Sequence, residues 1–317
     1  MREARTLMVR CPCGRDNSPF TPTCACGQRV VEARGRADWA DRALQAGDTV
    51  GRWVLGETLG SGSVGRVFAA RAPGEAGAVA IKVLHEHLAQ SEELRVRFGR
   101  EARALSQVDH RHVGRIREVV ELRGTTALVL EAHQGRSLRA HLDGGESTPR
   151  ARAVTWLHQL CQAVGALHAR GWLHRDIKPE NVFLAGDDIS TAEVRLLDFG
   201  LVRSLAVDAA TFATGAGLFV GSPAYAAPEQ LIGADLSAAT DWWAVGVVGF
   251  EVLTGRRPFT ATSRSGMAAA VLRSPAPAAQ VDAILDGWLE ALLGKDPRTR
   301  PASTEAVLAP LERWLQG

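Results

Sequence analysis

Between Trp53 and Leu84, apolar and polar residues alternate in short runs (WVLGETLG, RVFAAR, AVAIKVL) separated by glycine-containing turns, and this period of two predicts three β-strands. Two further runs, VGRIREVVEL and TTALVLEAH, flank Gly124 and bring the strand count to five. Inside this half, residues 91–107 (SEELRVRFGREARALSQ) repeat apolar positions at Leu94, Phe98, Ala102 and Leu105, the spacing of one helix. Glu92 and Glu93 fall in its first turn, where they complement the helix dipole, and Glu101 sits beside the apolar stripe. From Arg150 the period lengthens: Val154, Leu157, Leu160, Cys161, Val164, Leu167 and His168 recur at helical spacing up to the stop at Gly171. Residues 238–254, 266–273, 281–293 and 303–315 carry the same periodicity. The apolar run WWAVGVVGF, ending at Glu251, reads as a buried helix. Only VFL (182–184) and VRLL (194–197) interrupt the helical half, as a small antiparallel strand pair. The expected fold is α+β and bilobal, with a five-stranded lobe holding one main helix (51–131) and a mainly helical lobe (134–317).

The first 50 residues follow neither period. Four of the five cysteines stand there, as CPCG (Cys11, Cys13) and CACG (Cys24, Cys26). Two such knuckles can converge on one tetrahedral Zn²⁺, and the glycine after each pair lets backbone amides turn towards sulfur. Each knuckle is one residue shorter than the usual Cys-x-x-Cys, so disulfides or unliganded thiols remain open alternatives. Residues 1–30 are therefore expected to form a small zinc-ribbon-like module. Residues 31–50, charged and alanine-rich, read as a linker with one short helix.

Composition narrows the partners. With 317 residues and 46% apolar content the chain can bury two cores, and a formal charge of +2 gives no bulk attraction to nucleic acid. No segment approaches the roughly 20 apolar residues that span a bilayer, and the amino terminus lacks a signal-peptide pattern, so a cytoplasmic location is expected. One bias is informative: there are 34 arginines and three lysines, Lys82, Lys178 and Lys295. Lysine persisting against such a bias marks places where a compact point charge is needed in place of a planar fork.

Two of the three lysines fall in chemically loaded stretches. His174-Arg175-Asp176-Ile177-Lys178-Pro179-Glu180-Asn181 puts two carboxylates, an ammonium and an amide in one short span, and Asp198-Phe199-Gly200 follows seventeen positions after Asn181. Hard cations take carboxylate and amide oxygens and share them with phosphates, which fits Asn181 and Asp198 as metal ligands and leaves Asp176 for another task. Lys82 lies within an apolar strand, where an unpaired ammonium costs several kcal/mol, so an anionic partner is required. The GxGxxG formed by Gly60, Gly62 and Gly65 joins two strands, unlike the dinucleotide motif that opens a helix, and suits a hairpin flap closing over phosphates with Val67 packed on a base.

Together these residues resemble the eukaryotic-like (bacterial Hanks-type) serine/threonine protein kinases, from about Trp53 to Leu315: the glycine flap, VAIK at 79–82, HRDIKPEN at 174–181, DFG at 198–200, APE at 227–229, DWWAVGV from Asp241, and Arg300. The resemblance implies a phosphotransferase that uses ATP with Mg²⁺ or Mn²⁺ on protein substrates. Leu59, Val67 and Ala80 would line the nucleotide pocket, with backbone groups of Glu131 and His133 against adenine and Leu130 at the gate behind it. Lys82, paired with Glu101, would hold the α- and β-phosphates, and Asn181 and Asp198 the metal. Asp176 would orient the substrate hydroxyl and accept its proton, while Lys178 neutralises the transferring phosphoryl group. Glu229 and Arg300 would form a buried ion pair, and Asp241 would brace the catalytic loop. Thr211 and Thr214 fall in the activation segment as candidate phosphosites, with Arg175 placed to pair with a phosphate there and Ser222 standing where the family usually has threonine. Autophosphorylation between two copies is the implied route. The competing expectations are a catalytically silent kinase fold serving as a binding module, or a scaffold recruiting partners through the cysteine segment.

Overall fold

A computed structural model describes residues 9–10, 16–17, 44–61, 65–74, 77–85, 92–122, 125–198 and 223–317. Strands β3 (Thr49–Val50), β4 (Trp53–Ser61), β5 (Gly65–Arg71), β6 (Val79–Leu84), β7 (Ile116–Leu122) and β8 (Thr125–Glu131) form one antiparallel sheet in the order β3-β4-β5-β6-β8-β7. The sheet thus has six strands where the pattern predicted five. The additional strand lies inside the stretch expected to be linker: Val50 is fully buried, and Leu44 packs on the same cluster. A strand of two residues is too short to show a period, which is why composition alone pointed to a linker.

Alternation along β6 gives the sheet its two faces. Val79, Ile81 and Val83 point into a core with Trp53, Leu55, Phe68 and Val129, while Ala80 and Lys82 point the other way. Helix α1 (Glu92–Leu105) buries Phe98, Ala102 and Leu105 in the larger core shared with the second lobe.

That second core surrounds α5 (Ala238–Thr254), in which every residue from Thr240 to Val252 is buried. A helix apolar all round has to be wrapped by others. Packed on it are α3 (Arg150–His168) and α7 (Ala283–Leu292), with α8 (Thr304–Gln316) against both of those helices and α6 (Arg264–Arg273) further out. Gly249 lets α7 approach closely, since a Cβ there would meet the Trp288 ring at 2.8 Å. Helix α7 starts where Asp282 accepts hydrogen bonds from Ile284 N and Leu285 N. Cys161, on α3, is free and buried, and burial pushes its thiol pKa up, as suits an inert core residue.

Strands β10 (Val182–Ala185) and β11 (Glu193–Leu196) pair antiparallel as expected, and β9 (Gly135–Ser137) joins them on the far side of β10. Short elements without apolar rhythm escaped the sequence reading: β9, α2 (Leu138–Asp143), capped by the Ser137 hydroxyl, and α4 (Pro228–Ile232). At the amino terminus, β1 (Val9–Arg10) pairs with β2 (Asp16–Asn17), while Cys11, Cys13, Cys24 and Cys26 lie outside the described residues. Among the described residues no helix is long and apolar enough to cross a membrane.

The third lysine, Lys295, has a structural environment. Its Nζ lies 4.7 Å from the Trp243 ring centroid and 4.1 Å from that of Phe259, two rings stacked in parallel, and it donates to Val271 O. Burial first, and then the neighbouring Arg300, pushes its pKa down from the ordinary 10.5 to about 8. Between those values the unfolded chain holds a proton that the folded chain has released, so this residue's contribution to stability rises with pH across the window. Unfolding free energies measured from pH 8 to 10 should therefore shift in favour of the wild type relative to Lys295→Met. A difference that stays flat across that range would sink the assignment.

Candidate active site

The site lies where the outward face of β6 meets the loop ahead of β10. On that sheet face Val67 is the register partner of Lys82 across β5–β6, and Leu130 that of Ala80 across β6–β8. They form a shallow, partly apolar wall. In the adjoining strand β4, Leu59 and Gly60 are exposed near its end, and Gly62 lies outside the described residues. At Gly65 only glycine fits, because a Cβ would sit 2.1 Å from Val83 O. Beyond β8 the chain passes Glu131, whose N–H donates to Arg115 O, and half-buried His133, whose pKa burial holds below the ordinary value.

Facing this wall, the stretch 174–181 is organised by buried side chains. Asp241, at the start of α5 and 1% exposed, accepts from His174 N and Arg175 N at 2.8 Å each and meets His168 Nε2 at 2.8 Å. His174 is fully buried. Its Nε2 donates to Leu197 O at 3.0 Å and its Nδ1 accepts from Asp176 N at 3.3 Å, which defines one neutral tautomer, and burial lowers its pKa in the same direction. Arg175 adopts a positive φ of 64°, with its carbonyl accepting from Gln230 Nε2. Such backbone costs of order 1–3 kcal/mol in a non-glycine residue and persists where surrounding contacts enforce it.

The consequence is a tight polar cluster. Lys178 Nζ is 2.9 Å from Asp176 Oδ2, and Asn181 Nδ2 donates to Asp176 O at 2.7 Å and to Oδ2 at 3.1 Å. Since the amide nitrogen of Asn181 is turned to Asp176, its oxygen is the atom aimed elsewhere. Leu197 N bonds to Asn181 O at 2.8 Å and so brings Asp198 alongside, itself at a positive φ of 55°.

Lys82 finds its anionic partner here: Nζ is 2.6 Å from Asp198 Oδ1. The ion pair that Lys82 makes in this structure is to Asp198, whereas the sequence pointed to Glu101, which lies half buried on α1. The demand for a counter-charge was legible in the strand; the approach of β11's exit to β6 was not.

Away from the cleft, Arg300 Nη1 and Nη2 reach Glu229 Oε1 and Oε2 at 2.7 and 3.0 Å. Thr211, Thr214 and Ser222 lie outside the described residues. Sequence reading missed His168, Gln230 and a network of Arg139, Tyr225 and Glu251, although a carboxylate closing the run WWAVGVVGFE was itself a signal that a cation would be needed.

The protein kinase domain model matches residues 53–311. The chain belongs to the protein kinase domain family. Among curated relatives, the serine/threonine-protein kinase pkn2 of Myxococcus xanthus is 40% identical over 66% of this chain and 25% of its own length. Pkn1 of the same organism is 36% identical over 84% of this chain and 38% of its own. PknA of Mycobacterium tuberculosis is 33% identical over 72% and 52%. The chain thus spans between 25% and 52% of these bacterial kinases. In fold, the crystal structure of the Mycobacterium tuberculosis PknI kinase domain superposes with a TM-score of 0.66 at 25% identity, covering 86% of this chain and 99% of that one. The kinase domain accounts for both lobes; it leaves the cysteine segment unaddressed.

Proposed function

We propose that this chain is a serine/threonine protein kinase that transfers the γ-phosphate of ATP to hydroxyls of protein substrates. The observation that carries the reading is the cluster in which Lys178 and Asn181 both donate to Asp176 Oδ2, with Lys82 and Asp198 ion-paired beside it. The described residues fit the nucleotide: an apolar wall of Val67, Ala80 and Leu130 for the base, and the ammonium of Lys82 for phosphate. They fit Mg²⁺ or Mn²⁺ as well, through the Asn181 amide oxygen and the Asp198 carboxylate, both hard oxygen donors. The metal supplies charge neutralisation at the phosphates.

This chain's own groups do the rest. Asp176 orients the incoming serine or threonine hydroxyl and takes its proton, and Lys178 stabilises negative charge on the transferring group. Lys82 exchanges Asp198 for phosphate when nucleotide enters. Glu101 serves there as the second partner that holds the ammonium. To Ser222 we assign substrate positioning, and to phosphate on Thr211 or Thr214, added by a second copy of the chain, a pairing with Arg175.

Transfer of labelled phosphate from ATP to a generic basic protein tests the reading. Lys82→Met should lower it by about 10²-fold or more. Product mapping should place the label on serine and threonine and, in the kinase itself, on Thr211 or Thr214. Wild-type protein that binds ATP without transferring phosphate would leave a binding module in its place.

At the amino terminus we infer a structural Zn²⁺ held by Cys11, Cys13, Cys24 and Cys26. The paired strands β1 and β2 bracket the first knuckle in the sequence and support it. Metal analysis of purified protein should find stoichiometric zinc, lost when Cys11 and Cys13 are changed to serine.

A further inference from the structure

A non-glycine residue at positive φ has to be held there, and Arg175, directly before Asp176, is held from two sides. Its N–H donates to Asp241 Oδ1 on α5 at 2.8 Å, and its carbonyl accepts from Gln230 Nε2 on α4 at 3.0 Å. The other end of that side-chain amide is committed as well, since Gln230 Oε1 accepts from Ala227 N at 3.0 Å. Gln230 thus bridges the backbone just ahead of α4 and the catalytic loop, 55 positions earlier in the chain.

Its footing is rigid. The preceding residue, Glu229, is buried against Arg300 and accepts from Thr240 Oγ1 on α5, while Arg300 also donates to Ala239 O in the first turn of α5. Helix α4, which carries Gln230, is therefore tied to α5, which carries Asp241, and the two clamps on Arg175 belong to one frame. Between that frame and the base lies a single peptide group. The Arg175–Asp176 peptide offers its C=O to Gln230 and its N–H to His174 Nδ1, the latter a longer and weaker contact at 3.3 Å. Loss of the donor on the carbonyl frees this peptide to rotate. Asp176 then moves out of the geometry in which Lys178 and Asn181 both meet its Oδ2. A shift of about 1 Å at a reacting group can cost on the order of 10²-fold in rate.

We propose that Gln230 is a positioning residue for phosphoryl transfer: through the Arg175 carbonyl it sets the orientation of Asp176, and through Ala227 N it makes that orientation depend on how α4 is seated. The proposal rests on the kinase reading above.

Gln230→Glu is the discriminating variant. It is nearly isosteric and keeps an oxygen for Ala227 N, but once ionised it sets a carboxylate against the Arg175 carbonyl where the amide donated. Protonation restores a donor, and a carboxylate held against a carbonyl takes up its proton more readily than an ordinary glutamate. The charged and titratable groups on the elements that meet here are His174, Arg175 and Asp176 in the loop, Asp241 on α5, and Glu229 with its partner Arg300. Wild type shares all of them, so the quantity read is the ratio of variant to wild-type kcat at each pH.

The test uses the full chain, ATP and one serine peptide, with kcat expressed per nucleotide-binding site so that unfolded protein does not count. At about pH 8 the ratio for Gln230→Glu should be about one tenth, with KM for the peptide within about twofold of wild type, and it should climb as pH falls towards about 5. Gln230→Met, which neither donates nor accepts, should show a comparable loss with a ratio that stays flat. A Gln230→Glu ratio that does not rise on acidification, wild-type kcat in Gln230→Met, or a loss carried by KM for the peptide would overturn the proposal. No transfer by the wild type at any pH would instead bring down the kinase reading beneath it.

Discussion

Replacing Asp176 with asparagine should lower kcat by about 10³-fold while leaving the fold intact, a size set by the loss of a general base. The change is nearly isosteric. An asparagine oxygen can still accept from Lys178 Nζ and Asn181 Nδ2, which now meet Asp176 Oδ2 at 2.9 and 3.1 Å, so the loop retains most of its hydrogen bonds. The backbone that holds the loop belongs to other residues: Asp241 fixes His174 N and Arg175 N, and Gln230 fixes the Arg175 carbonyl. What asparagine cannot do is take a proton from the substrate hydroxyl or offset the charge of Lys178. Nucleotide affinity, read by fluorescence titration, should survive because Lys82, Asp198 and the apolar wall are untouched. Thermal stability should survive with it. Retention of more than about a tenth of wild-type turnover would remove Asp176 from the base role.

The catalytic groups were legible in the sequence because each is a chemically distinctive residue in a contiguous stretch. Asp176, Lys178 and Asn181 lie within six residues, so local geometry brings them together. The strands and helices were legible where they are long enough to show a period, as in β4 to β8 and α5. Legibility ended where tertiary approach decides the outcome. Lys82 had an evident need for an anion, yet whether α1 or the exit of β11 supplies it depends on how the two lobes pack. The strand β3, the cap at Ser137 and α4 are too short for pattern to exceed noise. Arg139 was invisible for a different reason: among 34 arginines nothing marks the one that meets a buried glutamate 112 positions away.

Truncating Arg300 to alanine should destabilise the helical lobe by about 3–5 kcal/mol, the range for leaving one member of a buried ion pair uncompensated. The side chain is completely buried and its partner Glu229 is 4% exposed. Beyond the two-pronged contact with that carboxylate, Arg300 donates to Gly294 O at 2.8 Å, Ala239 O at 2.8 Å and Lys295 O at 3.2 Å, while Thr240 Oγ1 adds a bond to Glu229 Oε1 at 2.9 Å. One guanidinium thus joins α4, the first turn of α5 and the loop before α8. Lysine cannot replace it, since its donors sit on a single nitrogen and cannot span acceptors arranged around the whole guanidinium, and Arg300→Lys should recover only part of the loss. Removing both charges is the informative control. A double variant, Glu229→Leu with Arg300→Met, should be considerably more stable than Arg300→Ala, because no buried carboxylate is left without a partner. Urea denaturation of the three variants orders them. A double variant no better than Arg300→Ala would mean that the backbone carbonyls, and not Glu229, are what Arg300 is there to satisfy. In that case Arg300 would act by tying the first turn of α5 to the loop before α8 through its carbonyl contacts.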